Sequence, residues 1–396
     1  MSNAAQVVSP AKATAPLIDW AEEIRPRLVS RAEEAERLRQ LPAATIAEAR
    51  EAGFFRMFAP RLWGGSGADL ASFLDVVRVL ARGCASSAWT LSFLANHAWI
   101  LARFGRELQE ELLSRDGYAL CSAPLAPTGK AIQVEGGFRV TGRWEWASGV
   151  MHADWTMVTC MLPDGAAPVC CVLPLSDVTI ADVWRTSGML GTGSNTVVAD
   201  DVFVPTHRSL DADLLKLDPP GAALHPEPTL CYPMSATLAI MAATPALGAA
   251  EQALEDFTGR MRQKLMAFSG GAMQGQQPSI HLRLGAAAAK IKAARLVWRD
   301  CIDTLEKLGP QGGAMALSER AEVRLGAAAV VKFSSEAIDE LCAAAGASAY
   351  FLSSPLQRAL RDVQMMRGHV VFDWDRTTQI IGRVKLDLPT TPADML

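Results

Sequence analysis

The pattern of apolar residues changes twice along the chain, and this order constrains the fold more than any other feature. Apolar residues recur at three-and-four spacing from residue 18 to about 117, which is the period of amphipathic helices. Between residues 118 and 205, glycines, prolines and Asp-Gly turns separate short β-rich runs that predict strands at 131–140, 154–161, 169–173 and 196–204. Alanine-rich helical texture then returns and lasts to residue 386. The sequence therefore predicts an α+β protein made of a helical, a β and a second helical domain.

Composition and linkers suggest where these domains begin and end. Residues 1–16 are polar and alanine-rich with no apolar segment, so we expect a flexible tail rather than a signal peptide. A proline-rich link at 217–228 precedes the second helical part. The predicted domains are an N-terminal α-helical domain at 17–118, a middle β domain at 119–222 and a C-terminal helical bundle at 223–396.

Charge, cysteine usage and hydropathy exclude several classes of function. The net charge is −4, with 38 basic and 42 acidic residues, so no basic surface is expected to bind nucleic acid. Eight cysteines without a CxxC pair and six scattered histidines predict a reduced, cytoplasmic chain without a metal site. The apolar run 236–250 is short for a membrane span and contains Pro245. With half of its residues hydrophobic, the chain is expected to oligomerise.

A glycine-rich segment at 188–195, GMLGTGSN, contains part of a dinucleotide-binding fingerprint. Such a loop must open a helix, whose amide groups then bind the pyrophosphate. Here the strand-like run VVADDVFVP follows at 197–205, which argues against a Rossmann domain. The glycines either let the backbone approach a flat or anionic ligand closely or merely form a β-turn.

Two further features allow both a structural and a functional interpretation. The segment 143–155, RWEWASGVMHADW, places three tryptophans around Ser148, which either close a barrel end or surround a hydroxyl that binds the edge of a planar ring. His97 and His369 lie in apolar surroundings, where a histidine is either a core residue or a catalytic one. The chain has no GxSxG motif, so a hydrolase is not favoured.

Two motifs together resemble the acyl-CoA dehydrogenase superfamily over nearly the whole chain. They are GFFRMFAPRLWGGSG at 53–67 and the glycine-rich segment with the strand that follows it, at 188–205. The resemblance implies an N-terminal helical domain, a middle β-barrel or sandwich and a C-terminal four-helix bundle. It also implies a bound flavin and usually a homotetramer.

Four other segments are similar to the flavin-dependent monooxygenases with this fold, such as the oxygenase component of 4-hydroxyphenylacetate hydroxylase. They are CASSAW at 84–89, WASG at 146–149, AGASA at 345–349 and SPLQRALRD at 354–362, which His369 follows. By this resemblance Ser148 meets the flavin N5 region, and His97, Ser122 and His369 face the substrate. The other cofactor-binding residues it implies are Trp146, Gly149, Thr192, Gly193 and Ser194.

The resemblance implies the oxygenase component of a two-component system. Reduced flavin, FADH2 or FMNH2, would come from a separate NAD(P)H:flavin reductase, since the chain has no nicotinamide-binding unit. It would react with O2 to a C4a-hydroperoxide and hydroxylate a small aromatic or heteroaromatic substrate. A hydroxyl at N5 and a neutral imidazole suit this chemistry, and His369 is the candidate base.

An acyl-CoA dehydrogenase is the main alternative, and it needs a carboxylate base. Asp375, in WDRT at 374–377, is the apparent counterpart, but it is one methylene shorter than glutamate, and the segment 229–250 contains no acid. An N- or S-oxygenating relative and a non-catalytic scaffold also remain open. Cys231 stands where several relatives have an arginine, which leaves the choice between FAD and FMN open.

Overall fold

The computed structural model describes residues 10–163, 165, 167–266, 270–391 and 394–396. Residues 1–9 of the predicted tail lie outside the described residues, and the first helix begins at Pro10. The predicted order of a helical part, a β part and a second helical part is confirmed. The boundary proposed near residue 118 falls between a helix that ends at Leu113 and a strand that begins at Cys121, whereas residue 222 lies in a short 3-10 helix at Pro220–Leu224.

The N-terminal part consists of helices packed around one that is almost completely buried. These helices are α1 (Pro10–Leu38), α2 (Ala43–Glu51), α3 (Leu70–Gly83), α4 (Ala85–Leu101) and α5 (Arg106–Leu113). Every residue of α4 except Phe93 is buried, including its serines, its asparagine and its histidine. Polar side chains on a buried helix need partners inside the protein, so the buried polar residues of α4 indicate a functional site there.

The middle part is a single sheet that curls around its own small core. Its strands are β1 (Cys121–Ser122), β2 (Gly129–Val134), β3 (Gly137–Ala147), β4 (Trp155–Met161), β5 (Val169–Pro174), β6 (Thr179–Ala181), β7 (Asn195–Pro205) and β8 (Ser209–Asp211). In the described residues the strand order is β6-β7-β3-β2-β4-β5-β8, with β1 parallel to β4. Trp144, Val158 and Cys171 share one core although they come from β3, β4 and β5. The predicted β-barrel or sandwich is therefore a curled sheet.

One of the strands predicted from the sequence is divided into two in the structure. The run 131–140 is interrupted by a tight turn at Glu135 and Gly136, and β2 pairs antiparallel with β3 across it. Gly136 has a φ of +79°, a left-handed conformation that glycine adopts without strain. The prediction of β structure at 131–140 is confirmed, but this run forms two strands joined by a two-residue hairpin turn rather than one strand.

The C-terminal part is a helical bundle centred on one helix. A short helix, α6 (Ala212–Leu217), follows the last strand, and the bundle itself consists of α7 (Met234–Gln263), α8 (Pro278–Leu308), α9 (Leu317–Ala345), α10 (Pro355–Arg367) and α11 (Trp374–Lys385). Helix α9 packs against α7, α8, α10 and α11. Pro245 lies inside α7, so it does not interrupt this helix as the sequence suggested. No described helix is long and apolar enough to cross a membrane.

Arg103 ties the N-terminal helices to the linker that leads into α7. Its guanidinium is fully buried and donates hydrogen bonds of 2.8–3.0 Å to four backbone carbonyls, those of Leu215, Lys216, Leu230 and Tyr232. Burial lowers the pKa of Arg103 to about 9. The Arg103 guanidinium thus holds the segment that contains Cys231, because its N–H groups donate to backbone carbonyls on both sides of that residue.

Candidate active site

Helix α4 presents an aromatic face to the protein interior. Trp89, Phe93 and His97 are spaced four residues apart, which places them on one side of a helix. The ring centroids of Trp89 and Phe93 are 4.8 Å apart, and those of Phe93 and His97 are 5.5 Å apart. This row of rings forms one wall of the region where the predicted site residues meet.

His97 lies against β1, and its hydrogen bond defines the tautomer. Its Nδ1 is bonded to the carbonyl oxygen of Cys121, which can only accept, so Nδ1 carries the proton and Nε2 a lone pair. Burial lowers the pKa of His97 to about 4, so the ring is neutral near pH 7. Ser122 is the next residue of β1, fully buried, and donates to the Thr156 hydroxyl at 2.9 Å. The structure therefore brings His97 and Ser122 together.

His369 lies just after α10, and its tautomer is the opposite one. The backbone N–H of Val371 donates to its Nδ1 at 3.3 Å, so in the neutral ring Nε2 carries the proton. Burial and, to a lesser extent, the charge of Arg324 lower the pKa of His369 to about 4. The ring is edge-on to Trp89, with centroids 6.0 Å apart. Both predicted histidines thus join the aromatic row of α4, one as an acceptor and one as a donor.

Three hydroxyls form a continuous chain between the sheet and α4. The indole N–H of Trp89 donates to Oγ of Ser148 at 3.0 Å, and this oxygen lies 2.8 Å from Oγ of Ser194. Oγ of Ser194 is 2.7 Å from Oγ1 of Thr192, which donates to the carbonyl of Met189 at 2.9 Å. We call Ser148, Ser194 and Thr192 the hydroxyl chain. All three are cofactor-binding residues predicted from the sequence.

The backbone around the hydroxyl chain is closely packed and leaves no room for side chains at two predicted glycines. The N–H of Gly149 donates to the carbonyl of Thr192 at 3.0 Å, which joins the two predicted segments. A Cβ on Gly149 would lie 3.1 Å from Leu94, and one on Gly193 would lie 2.9 Å from the Arg39 carbonyl. Both glycines also have positive φ, so a larger residue would be strained there.

Trp146 lies at the edge of this region. The pairing of β3 with β7 shifts register between Trp144 and Ala147, and within this irregularity Trp146 has a φ of +68°. Its ring is 57% exposed and edge-on to Trp184, at 5.4 Å between centroids. An exposed tryptophan in a rare backbone conformation beside a partly buried serine suits a site for a flat ring.

Asp362 is a site residue to which the sequence assigned no role. It is buried, and its carboxylate accepts from the N–H of Met189 at 2.6 Å. Met189 has a φ of +52°, unusual for a residue with a side chain, and the carbonyl of the same residue ends the hydroxyl chain. Burial raises the pKa of Asp362 to about 6. The only signal in the sequence was its place in the SPLQRALRD segment.

Asp375, the candidate base of the alternative dehydrogenase, is exposed in the first turn of α11. A base that removes a carbon-bound proton works best in a site protected from water, which an exposed carboxylate is not. Among the described residues, no group of three or more His, Cys, Asp or Glu side chains is placed to hold a metal ion. The groups around α4 that can do chemistry are hydroxyls, neutral imidazoles, aromatic rings and the carboxyl group of Asp362, which lies 3.4 Å from the Ser86 hydroxyl.

Two neutral histidines, His97 buried and His369 half-buried, predict how stability depends on pH. The pKa of each is about 4 in the folded chain, against an ordinary value near 6.5, so the unfolded chain binds more protons in this window. Folding stability should be greatest above pH 6.5 and fall towards pH 4, by at most about 3 kcal/mol for each ring. Asp362, with its raised pKa, offsets part of this fall.

Urea unfolding at pH 7 and pH 4.5 measures this effect. His97→Asn keeps an N–H for the Cys121 carbonyl but does not titrate, so we expect a smaller difference between the two pH values than in the wild type. An unchanged difference would contradict the burial of a neutral imidazole at this position.

Models of known families and relatives match this chain over most of its length. The N-terminal domain of acyl-CoA dehydrogenase matches residues 20–115, and the C-terminal domain matches residues 240–374. The oxygenase subunit HsaA of a flavin-dependent monooxygenase from Rhodococcus jostii is 33% identical over 92% of this chain and 97% of its own length. The chain belongs to the flavin-dependent monooxygenases of the acyl-CoA dehydrogenase fold. It is a reduced-flavin-dependent oxidoreductase, as the sequence predicted.

Other relatives agree with this assignment. The oxygenase component of p-hydroxyphenylacetate 3-hydroxylase from Acinetobacter baumannii is 31% identical over 95% of this chain and 90% of its own. XiaF from Streptomyces, solved in complex with FADH2 and glycerol, superposes with a TM-score of 0.89 at 26% identity, over 96% of this chain and 97% of its own. The chain therefore belongs with the oxygenase components of this family.

Proposed function

We propose that this monooxygenase hydroxylates a small aromatic substrate that bears a hydroxyl or ring N–H group. Nε2 of His97 would accept a hydrogen bond from this group. The observation that carries this proposal is the Nε2 lone pair of a buried, neutral His97, which accepts no hydrogen bond from the described residues and lies at the end of an aromatic row. A base that draws a proton from such a group raises the electron density of the ring, which favours attack on oxygen. The aromatic row suits a planar apolar substrate.

The proposed flavin site is formed by the hydroxyl chain and the segments that carry it. The residues fit a flat, polar-edged ring because Ser148 is only half-buried and glycines bring the backbone close. Ser148 would bind the ring edge, with the buried Ser194 and Thr192 behind it and with Trp146, Gly149 and Gly193 around it. When bound, the reduced flavin supplies the electrons with which O2 is activated.

The two histidines take different roles in this proposal. The sequence named His369 as the base, but its Nδ1 is occupied by the Val371 N–H and its Nε2 carries the proton. It would therefore donate a hydrogen bond, whereas His97 would accept one. Ser122, adjacent to the carbonyl that orients His97, completes the substrate side.

The oligomer and compartment are also proposals. Tyr350, Phe351 and Leu352, three consecutive large residues, are 56%, 67% and 77% exposed, and such apolar surface is normally covered by another subunit. This supports the homotetramer expected from the sequence. All eight cysteines are unpaired thiols, which fits a reducing compartment such as the cytoplasm.

The proposed function predicts what the purified chain does with and without its partners. Alone with NADH it should consume none, because electrons reach it only as reduced flavin. With chemically reduced flavin, O2 and a panel of phenols and indoles, a hydroxylated product should form, detected by mass spectrometry with ¹⁸O2. NADH oxidation by the chain alone, or bleaching of oxidised flavin by an acyl-CoA without oxygen, would contradict the proposal.

A further inference from the structure

The direction of the protons along the hydroxyl chain follows from its fixed end. The carbonyl of Met189 can only accept, so the 2.9 Å contact requires Thr192 to donate to it. Oγ1 of Thr192 must then accept from Ser194 across 2.7 Å, since two oxygens so close need a hydrogen between them. By the same reasoning Ser194 accepts from Ser148 across 2.8 Å.

The other end of the chain leaves Ser148 with one free lone pair. Its hydrogen is given to Ser194, and one of its lone pairs accepts the indole N–H of Trp89 at 3.0 Å. A hydroxyl has one donor and two acceptor positions, so a further partner can meet Ser148 only by donating to it.

The fixed end itself is held by the C-terminal bundle. Asp362, on α10, accepts the N–H of Met189 at 2.6 Å. The preceding residue, Gly188, is so close to α10 that a Cβ there would lie 2.1 Å from the Arg361 carbonyl. The carbonyl of Met189 is further occupied by the indole N–H of Trp184 at 3.0 Å, so it is well placed and does not depend on Thr192 alone.

We infer that Thr192 is a positioning residue that makes Ser148 an acceptor towards the cofactor, so that the site selects the oxidation state of the flavin. Reduced flavin carries a hydrogen at N5 and can donate to Ser148, whereas oxidised flavin has a lone pair at N5. In the second case two lone pairs face each other, which costs a hydrogen bond. The inference rests on the proposed function, because it places Ser148 at the N5 edge.

Thr192→Val tests the inference, since valine has the shape of threonine without its hydroxyl. Ser194 is then free to donate to Ser148, and Ser148 to donate to N5 of oxidised flavin. We expect the dissociation constant for oxidised FAD and FMN to fall about tenfold, with that for the dithionite-reduced forms changed by less than about twofold. Fluorescence quenching under air and anaerobic calorimetry measure the two.

Thr192→Ser is the control for this test, and Ser194→Ala is a second, independent test of the inference. Thr192→Ser keeps a donor for the Met189 carbonyl and should retain the wild-type ratio of the two dissociation constants. Ser194→Ala removes the acceptor of the Ser148 hydrogen and should tighten oxidised flavin as Thr192→Val does. A general loss of packing would weaken both forms, so a gain in affinity for oxidised flavin is the distinctive result.

The outcomes separate this inference from the proposed function. If the wild type binds reduced flavin but Thr192→Val and Ser194→Ala leave the ratio unchanged or weaken both forms equally, the inference is overturned and the proposed function stands. If the wild type binds neither form of FAD or FMN, the proposed function itself fails.

Discussion

Ser148→Ala is expected to turn the enzyme from hydroxylation towards hydrogen peroxide release. The variant loses the hydroxyl that the proposed site places against the flavin N5 edge, while the ring of Trp89 and the glycines around it remain. The wasted oxygen, measured as hydrogen peroxide per hydroxylated product, should rise about tenfold, the effect of losing one hydrogen bond of about 1.4 kcal/mol.

The physical reason is that activated oxygen survives only where its protons are held and water is excluded. Ser148 is the half-buried member of the hydroxyl chain, so it is the one that can meet a bound ring. Removing it also leaves the indole N–H of Trp89 without its acceptor. Both changes make room for a water molecule and free a donor to bind it.

Ser176→Ala is the matched control, because this serine is exposed and its hydroxyl bonds only to the neighbouring Asp177 in the described structure. Its peroxide yield should equal that of the wild type. Hydrogen peroxide and hydroxylated product are measured in the same reaction, without added catalase, and the product is quantified by chromatography. An unchanged ratio in Ser148→Ala would remove Ser148 from the site.

Arg103→Met should produce the largest loss of stability, about 4 kcal/mol in the free energy of unfolding. Methionine keeps much of the aliphatic volume but supplies no donor for four carbonyl oxygens. These lie in two segments, at 215–216 and 230–232, and the Trp99 indole also ties the neighbouring Thr229 carbonyl to α4. The loss should be measured by urea unfolding at fixed protein concentration.

Arg106→Met provides the comparison, because this arginine is exposed and forms a surface ion pair with Glu110 at 3.3 Å. It should lose less than about 0.5 kcal/mol. If the methionine variant does not fold, Arg103→Lys is measured instead. It keeps a charge but has three donors at one point, so its loss of unfolding free energy should exceed that of Arg106→Met. Equal stability of Arg103→Met and Arg106→Met would show that the buried cation is not needed.

The sequence predicts the fold and the site to different extents, for physical reasons. Periodicity identified the helical and β regions because the spacing of buried residues is a local property. It missed the turn at Glu135 and Gly136 because alternation continues on both sides of it. The pairing of Asp362 with Met189 spans 173 positions, and no local pattern records such a contact.

Which ring nitrogen of each histidine carries the proton is likewise not determined by a local sequence pattern. His97 and His369 were both predicted as site residues from a family resemblance, and both join the row of rings on α4. Which nitrogen carries the proton depends on one carbonyl of β1 and one backbone N–H after α10. The sequence cannot give these neighbours, so the proposal that His97 rather than His369 acts as the base rests on the structure.

The contact of Trp89 with His369 also bears on how the protein matures. These rings lie 6.0 Å apart in space but 280 positions apart in the chain (369 minus 89). Contacts of such long range form after local ones, because the intervening chain must be ordered first. On a ribosome, the helix that carries Trp89 would emerge long before His369, so we expect a nascent chain to form the proposed site only after residue 369 has been synthesised.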